Sequence, residues 1–298
     1  MRSDNVFKIS FIILLLLTSV DAKCISFGLI PYGNVVDINK EYQKLNSWME
    51  ENTQVCIDIT ISKNYEDTIK ALAQKQIDCA RVGPFSYVLA NKEVKLEPLV
   101  VGAKKDGSST YKSHLITNTE LANKLDLDGH FKGLEGIKEL GEIIKQTDSK
   151  YSIGFTDTSS TSGYLIPLYY LHRADVEVDR DFHTTLFSRT HEASVLSVKS
   201  SVSDFSFSND KAIAKLKKSG SIDDNQIFIA WTSDPIPDSP IVCRKDLDSE
   251  LKKRFKTTLL KVPYSYIPKY GKVAFYKEVT HKNYEIIEAI QEFVDTSR

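Results

Sequence analysis

The chain has 298 residues, 39 Lys and Arg against 40 Asp and Glu, 41% hydrophobic residues and four cysteines. That composition excludes disorder, a collagen-like repeat and a small disulfide scaffold, and the length allows about two domains. A net charge near zero removes any long-range pull toward nucleic acid or an acidic membrane surface, so the expected partner is small and locally recognised.

Arg2 and Lys8 precede an apolar run from Ile9 to Leu17, and the small residues Val20 and Ala22 follow. This pattern predicts a secretory signal over residues 1–22, cleaved before Lys23; the run is too short to span a bilayer comfortably. Lys23 stands before Cys24, where a lipid attachment site requires a small residue, so a soluble product is expected. Export would expose Cys24, Cys56, Cys79 and Cys243 to oxidation. Cys24 and Cys56 each open a predicted strand, which makes them the preferred bridge; the alternative leaves all four as small buried hydrophobes. With no CxxC spacing and no cluster among the six histidines, neither a metal nor another cofactor is expected.

Strand and helix patterns then alternate. Ile25–Ile30 reads as a strand, and Ile38, Tyr42, Leu45 and Trp48 mark one helical face. Val55–Ile61 is a strand, followed by a helix from Tyr65 to Gln76 capped by Asn64, with Glu66 and Asp67 in its positively polarised first turn. Ile77–Val82 is a strand that Gly83-Pro84 stops before another helix. A crossover strand over Ser113–Thr117 leads to a second unit: strand Tyr151–Phe155, helix Gly163–His172, a strand near Phe187, helix His191–Lys199, strand Val202–Phe207, a helix through Ile213 and Leu216, and strand Phe228–Trp231. A C-terminal helix on Tyr284, Ile287, Ala289 and Phe293 is expected to return to the first unit. The order implies an α/β protein of two mostly parallel sheets flanked by helices. The expected first lobe comprises residues 23–116 and 234–298 and the second residues 117–233, with crossovers near His114–Asn118 and Trp231–Pro235 forming a hinge.

The segment Asp157-Thr158-Ser159-Ser160-Thr161-Ser162-Gly163 lies between a predicted strand and helix. Amides in the first turn of a helix lack intrahelical partners and carry partial positive charge, so an anion can be held there without a cationic side chain. Ser160, Thr161 and Ser162 add hydroxyls, and Gly163 allows close backbone approach; this suits a tetrahedral oxyanion. The plainer alternative is a Ser/Thr N-cap.

This segment, followed by Leu165 and Pro167, and the run His191-Glu192-Ala193-Ser194-Val195-Leu196-Ser197-Val198 resemble the phosphate/phosphite/phosphonate-binding proteins of ABC transporters. Tyr65, Ile77-Asp78-Cys79-Ala80, Gly83-Pro84, Trp231, Pro235-Ile236-Pro237 and Pro240-Ile241-Val242 extend the resemblance over nearly all of the chain after residue 22. It implies the type II periplasmic binding protein fold, with the ligand in the cleft between two lobes that close about a two-segment hinge. It also implies that Ser160, Thr161, Ser162, Gly163, His191, Tyr65 and Tyr111 converge on the oxyanion, the second lobe holding it and the two tyrosines joining on closure. Where aminoalkylphosphonate binders of that family place carboxylates for the ligand's ammonium, this chain has Lys211 and Ser239, with Asp238 adjacent; an amine-bearing ligand is therefore disfavoured. Val82 and Arg81 replace aromatic residues beside the cleft, Arg81 being expected to face solvent or an acidic neighbour.

The expected protein is thus a periplasmic, monomeric solute-binding protein that captures phosphate, phosphite or a simple alkylphosphonate and partners an ABC permease, with no nucleic acid bound. A sensor that docks its closed form on a membrane receptor or kinase is the alternative. Catalysis is not expected: Ser160 or Ser162 beside His191 could imitate a nucleophile and base, yet no third orienting group stands at a recognisable spacing.

Overall fold

The computed structural model describes residues 24–30, 35–147 and 151–297. The expected signal over residues 1–22 lies outside them. The first unit opens with β1 (Ile25–Leu29), α1 (Val35–Thr53), β2 (Ile57–Ile61), α2 (Tyr65–Ala73), β3 (Cys79–Arg81), α3 (Pro84–Glu93) and β4 (Leu96–Ala103). In α1 the three- and four-residue spacing buries Ile38, Tyr42, Leu45 and Met49, while Trp48 is only half-buried. Pro84 occupies the first turn of α3 after the Gly83 N-cap, where its missing N–H costs nothing.

Short β5 (Thr110–Tyr111) and β6 (Ser113–Asn118) lead into the second unit, followed by α4 (Thr119–Lys124), α5 (Gly133–Lys145), β7 (Tyr151–Phe155), α6 (Ile166–Arg173), α7 (Val178–Asp181), β8 (Phe182–Phe187), α8 (His191–Lys199), β9 (Phe205–Asn209), α9 (Asp210–Lys218) and β10 (Ile227–Thr232). The chain then returns through β11 (Ile236–Pro237), β12 (Pro240–Arg244), α10 (Ser249–Lys261), β13 (Phe275–Glu278) and α11 (Glu285–Thr296).

The first sheet has the order β13-β4-β12-β3-β1-β2 and the second β10-β6-β9-β7-β8. β1 pairs in parallel with β2 and β3, and β7 with β8 and β9, so the expected α/β crossovers hold in both units. Sequence order did not reveal that β12, from the far end of the chain, inserts antiparallel between β3 and β4. Every residue of β12, β7 and β9 is buried, as strands flanked on both edges and covered on both faces must be.

Three expectations need correction. The stretch His114–Asn118 is not a linker: residues 113–117 of β6 are buried, held between β9 and β10. The two chain crossings instead meet in an antiparallel ribbon, with Tyr111 of β5 opposite Ile236 of β11. Val202 is exposed, and the strand begins only at Phe205, because Ser201 adopts a left-handed φ of 54° that turns the chain first. The C-terminal segment touches both units, Tyr284 packing on Tyr87 of α3 at 5.4 Å and Phe293 on Tyr169 of α6 at 5.3 Å.

Cys24 and Cys56 form a disulfide at the entry to β1 and β2, as expected. A second disulfide joins Cys79 and Cys243, opposite residues on β3 and β12 with Cα atoms 4.0 Å apart. It went unforeseen because the pairing follows from the insertion of β12. Among the described residues, no helix is long and apolar enough to cross a membrane.

Candidate functional site

Five strand-to-helix passages end at one cavity of about 50 Å³, each contributing a residue to its wall: Tyr65 opens α2, Gly83 caps α3, Ser160 caps the turn before α6, His191 opens α8 and Asn209 caps α9. The cause is topological. Strands running the same way deliver their carboxyl ends, and the amino ends of the helices that follow, to one side of each sheet. The partly positive ends of the helix dipoles therefore face a common point. A cavity needs only about 10–15 Å³ to hold one water, so this one admits a solute of a few heavy atoms.

Residues Thr161–Leu165 form a single π-helical turn ahead of α6, a local widening that recurs at functional sites. Ser160 caps it, its hydroxyl accepting from the Gly163 amide at 3.1 Å. Thr161 lines the cavity and its hydroxyl accepts from the Phe85 amide of α3 at 2.8 Å, while Ser86 donates to the Ser159 carbonyl at 2.9 Å. These two bonds tie the first unit to the second across the cavity's rim. Ser162 and Gly163 are buried but do not line the cavity. The Ser162 carbonyl accepts from the Ser113 hydroxyl at 2.6 Å. A Cβ on Gly163 would come within 2.2 Å of Thr156 Oγ1, so only glycine permits this turn to sit against β7's end.

His191 Nε2 stands 3.5 Å from Ser160 Oγ and 3.4 Å from Ser162 Oγ, and Nδ1 lies 3.2 Å from Thr156 Oγ1. Burial, reinforced by the charge of Lys211, pushes the His191 pKa down to about 3, so the ring is neutral at physiological pH and carries one N–H. Burial also holds the phenols of Tyr65 and Tyr111 well above their ordinary range, against the opposing hydrogen bonds of Ser160 to the former and of Ser162 and Thr161 to the latter. Both tyrosines line the cavity as protonated groups able to donate. The structure thus gathers Tyr65, Tyr111, Ser160, Thr161 and His191 on one cavity, with Ser162 and Gly163 directly behind. Glu192 of the His-Glu run is not at the wall; it faces Lys215 at 3.6 Å.

Sequence reasoning missed part of the wall. Tyr270 lines the cavity from the loop before β13, where no periodicity marks it. Arg81, expected to face solvent or an acidic neighbour, does act on the Asp238 carboxylate, and it also lines the cavity, its guanidinium 5.4 Å from the Tyr270 ring centre. Lys211, the second residue of α9, is ion-paired with Asp238, and both are buried. Burial opposes ionisation of Asp238, but the charges of Lys211 and Arg81 hold its pKa below the usual carboxylate range. Asp238 is thus occupied by Lys211, while Ser239 lines the wall beside it. Lys211 was read from the sequence as a cation near the cleft; its pairing with Asp238 was not foreseen.

Residues 27–285 match the family described as "ABC transporter, phosphonate, periplasmic substrate-binding protein". The chain is 25% identical over 261 residues to the phosphonates-binding periplasmic protein of Escherichia coli, covering 87% of this chain and 70% of that one. It is 24% identical over 242 residues to the phosphate-import protein PhnD of Mycolicibacterium smegmatis, covering 78% and 70% respectively. Among solved structures, PhnD1 of Prochlorococcus marinus in complex with methylphosphonate superposes with a TM-score of 0.76 at 20% identity, covering 92% of this chain and 99% of that one.

Proposed function

The chain belongs to the periplasmic substrate-binding proteins of ABC phosphonate transporters, and from that premise we propose that its cavity captures a small phosphorus oxyanion, either phosphate, phosphite or a simple alkylphosphonate, for delivery to an ABC permease. The observation that carries this reading is the convergence of five helix starts, two protonated tyrosines, the hydroxyls of Ser160 and Thr161 and a neutral His191 on one small cavity. Backbone amides and hydroxyls fixed in place stabilise a tetrahedral anion without having to reorganise around it.

The lobes divide at the β5–β11 ribbon, residues 23–112 with 234–298 forming one and residues 113–233 the other. Ser160, Thr161 and His191 come from the second lobe, Tyr65 from the first, and Tyr111 from the ribbon. Ligand contacts completed from both sides exist only when the lobes meet, so binding favours closure. Thr161 links the two processes directly: its hydroxyl lines the cavity while its oxygen accepts from the Phe85 amide of the first lobe. The chain acts as a monomer after loss of its signal and performs no catalysis, a reading supported by the surroundings of His191. Its Nδ1 meets the Thr156 hydroxyl rather than a carboxylate that would orient and charge the ring for acyl or phosphoryl transfer.

Calorimetric titration of ligand-free protein with phosphate, phosphite and methylphosphonate tests the proposal. Loss of one hydrogen bond to a charged ligand costs about 1.5–3 kcal/mol. Ser160→Ala and Thr161→Ala should therefore each weaken binding roughly ten- to a hundredfold; titration curves unchanged by both would refute the site.

A further inference from the structure

The cavity wall carries two cationic side chains that an array of hydroxyls and helix termini does not itself require. Lys211 and Arg81 both line it, together with Asn209 and Ser239. The Lys211 ammonium is paired with Asp238 and lies 4.8 Å from the Tyr111 ring centre and 5.5 Å from that of Tyr270. An ammonium has three N–H donors, and a single carboxylate oxygen accounts for one. The Lys211 stem is confined as well: Gly271, at φ +79°, packs so tightly on it that a Cβ there would fall 2.8 Å from both Cδ and Cε. Beyond Arg81, Ser239 and Tyr270 lies a second space of only about 10 Å³, about enough for one water. A substituent longer than one heavy atom has nowhere to extend on that side.

We propose that Lys211 is the specificity determinant that makes inorganic phosphate the preferred ligand, because the ammonium donors that Asp238 does not take demand that the fourth substituent on phosphorus be an oxygen. The inference rests on the phosphorus-oxyanion reading above and narrows it. A hydrogen or methyl in the fourth position leaves buried donors without an acceptor, and sites built to bond an oxygen reject analogues lacking it far more strongly than apolar pockets reject a misfit. An aminoalkyl group is opposed twice, by the cations and by the missing space.

The test is calorimetric titration, in phosphate-free buffer, of phosphate, phosphite, methylphosphonate and 2-aminoethylphosphonate into the wild-type protein and into the Lys211→Met/Asp238→Asn double variant. The double change removes both charges at similar volume and avoids stranding a buried carboxylate. The expected wild-type result is phosphate bound at least about tenfold more tightly than phosphite and methylphosphonate, and the aminated ligand weakest; in the double variant the phosphate-to-methylphosphonate ratio falls to within about threefold of unity. Phosphite or methylphosphonate matching phosphate in the wild type, or a ratio preserved in the double variant, would overturn the role of Lys211 while leaving an oxyanion site in place. Failure of all four ligands to bind would instead overturn the oxyanion reading itself. Should the double variant not fold, the wild-type ranking alone decides.

Discussion

Acid should destabilise the ligand-free protein through His191 in particular, and by an amount that can be worked out. The ring is 9% exposed and its pKa lies at about 3 against 6.5 for the free side chain, through burial and the neighbouring Lys211 charge. Because the folded-state value is depressed, the unfolded chain binds the proton more readily. The contribution of a neutral, buried ring is complete above pH 6.5 and is lost as pH falls toward 3. The full gap corresponds to about 5 kcal/mol, of which about 2 kcal/mol disappears between pH 7 and pH 5. Urea denaturation of wild type and His191→Gln at both pH values isolates this effect, since every other titrating group, including the depressed His114, is common to both proteins. The wild type should lose about 2 kcal/mol more than the variant over that interval. Equal losses in the two proteins would show that the ring is not held neutral in a closed cavity, and the donor assignment for His191 would fall with it.

Gly163→Ala should lower stability by about 1–3 kcal/mol, the usual cost of forcing an atom into a packed interior, since the new methyl lies 2.2 Å from Thr156 Oγ1; a thermal melt unchanged from wild type would contradict this packing. The Cys79–Cys243 bridge spans 164 residues and Cys24–Cys56 spans 32, so chain entropy assigns about 5 and about 4 kcal/mol to them. Paired Cys→Ala variants compared by chemical denaturation should show the longer bridge to be the costlier loss, and the reverse order would count against that account. Ser86→Ala removes a bond made only across the closed rim, so it should weaken ligand binding about two- to tenfold without touching the ligand; an unaltered titration would show that closure does not depend on it.

The helix starts that border this cavity were readable along the chain because they are local; that they share one cavity was implied only by the family resemblance. An Asn64 side chain can reach the Asp67 amide at 2.8 Å within one turn, so a cap and a helix start at Tyr65 follow from residue types alone. Ser160–Gly163 and His191 are likewise helix starts, and alternating periodicities place them after strands. Tyr270 was not readable, and Arg81 was readable beside the cleft but not as part of its wall. Tyr270 sits in a loop, where spacing carries no directional information. Arg81 ends a three-residue strand, too short to say which way its side chain turns.

Local chemistry in the sequence thus determined the alternating α/β plan, the caps and the hydroxyl-rich turn, because each depends on residues within a few positions of one another. Tertiary structure alone decided how those turns combine. The antiparallel insertion of β12 brings Cys243 to Cys79, the link between β11 and β12 carries Asp238 to Lys211, and the β5–β11 ribbon sets Tyr111 against Ile236. Such pairings join residues more than a hundred positions apart, or as few as 27 across an intervening helix and strand. Nothing in either segment specifies its partner until both are packed into one core.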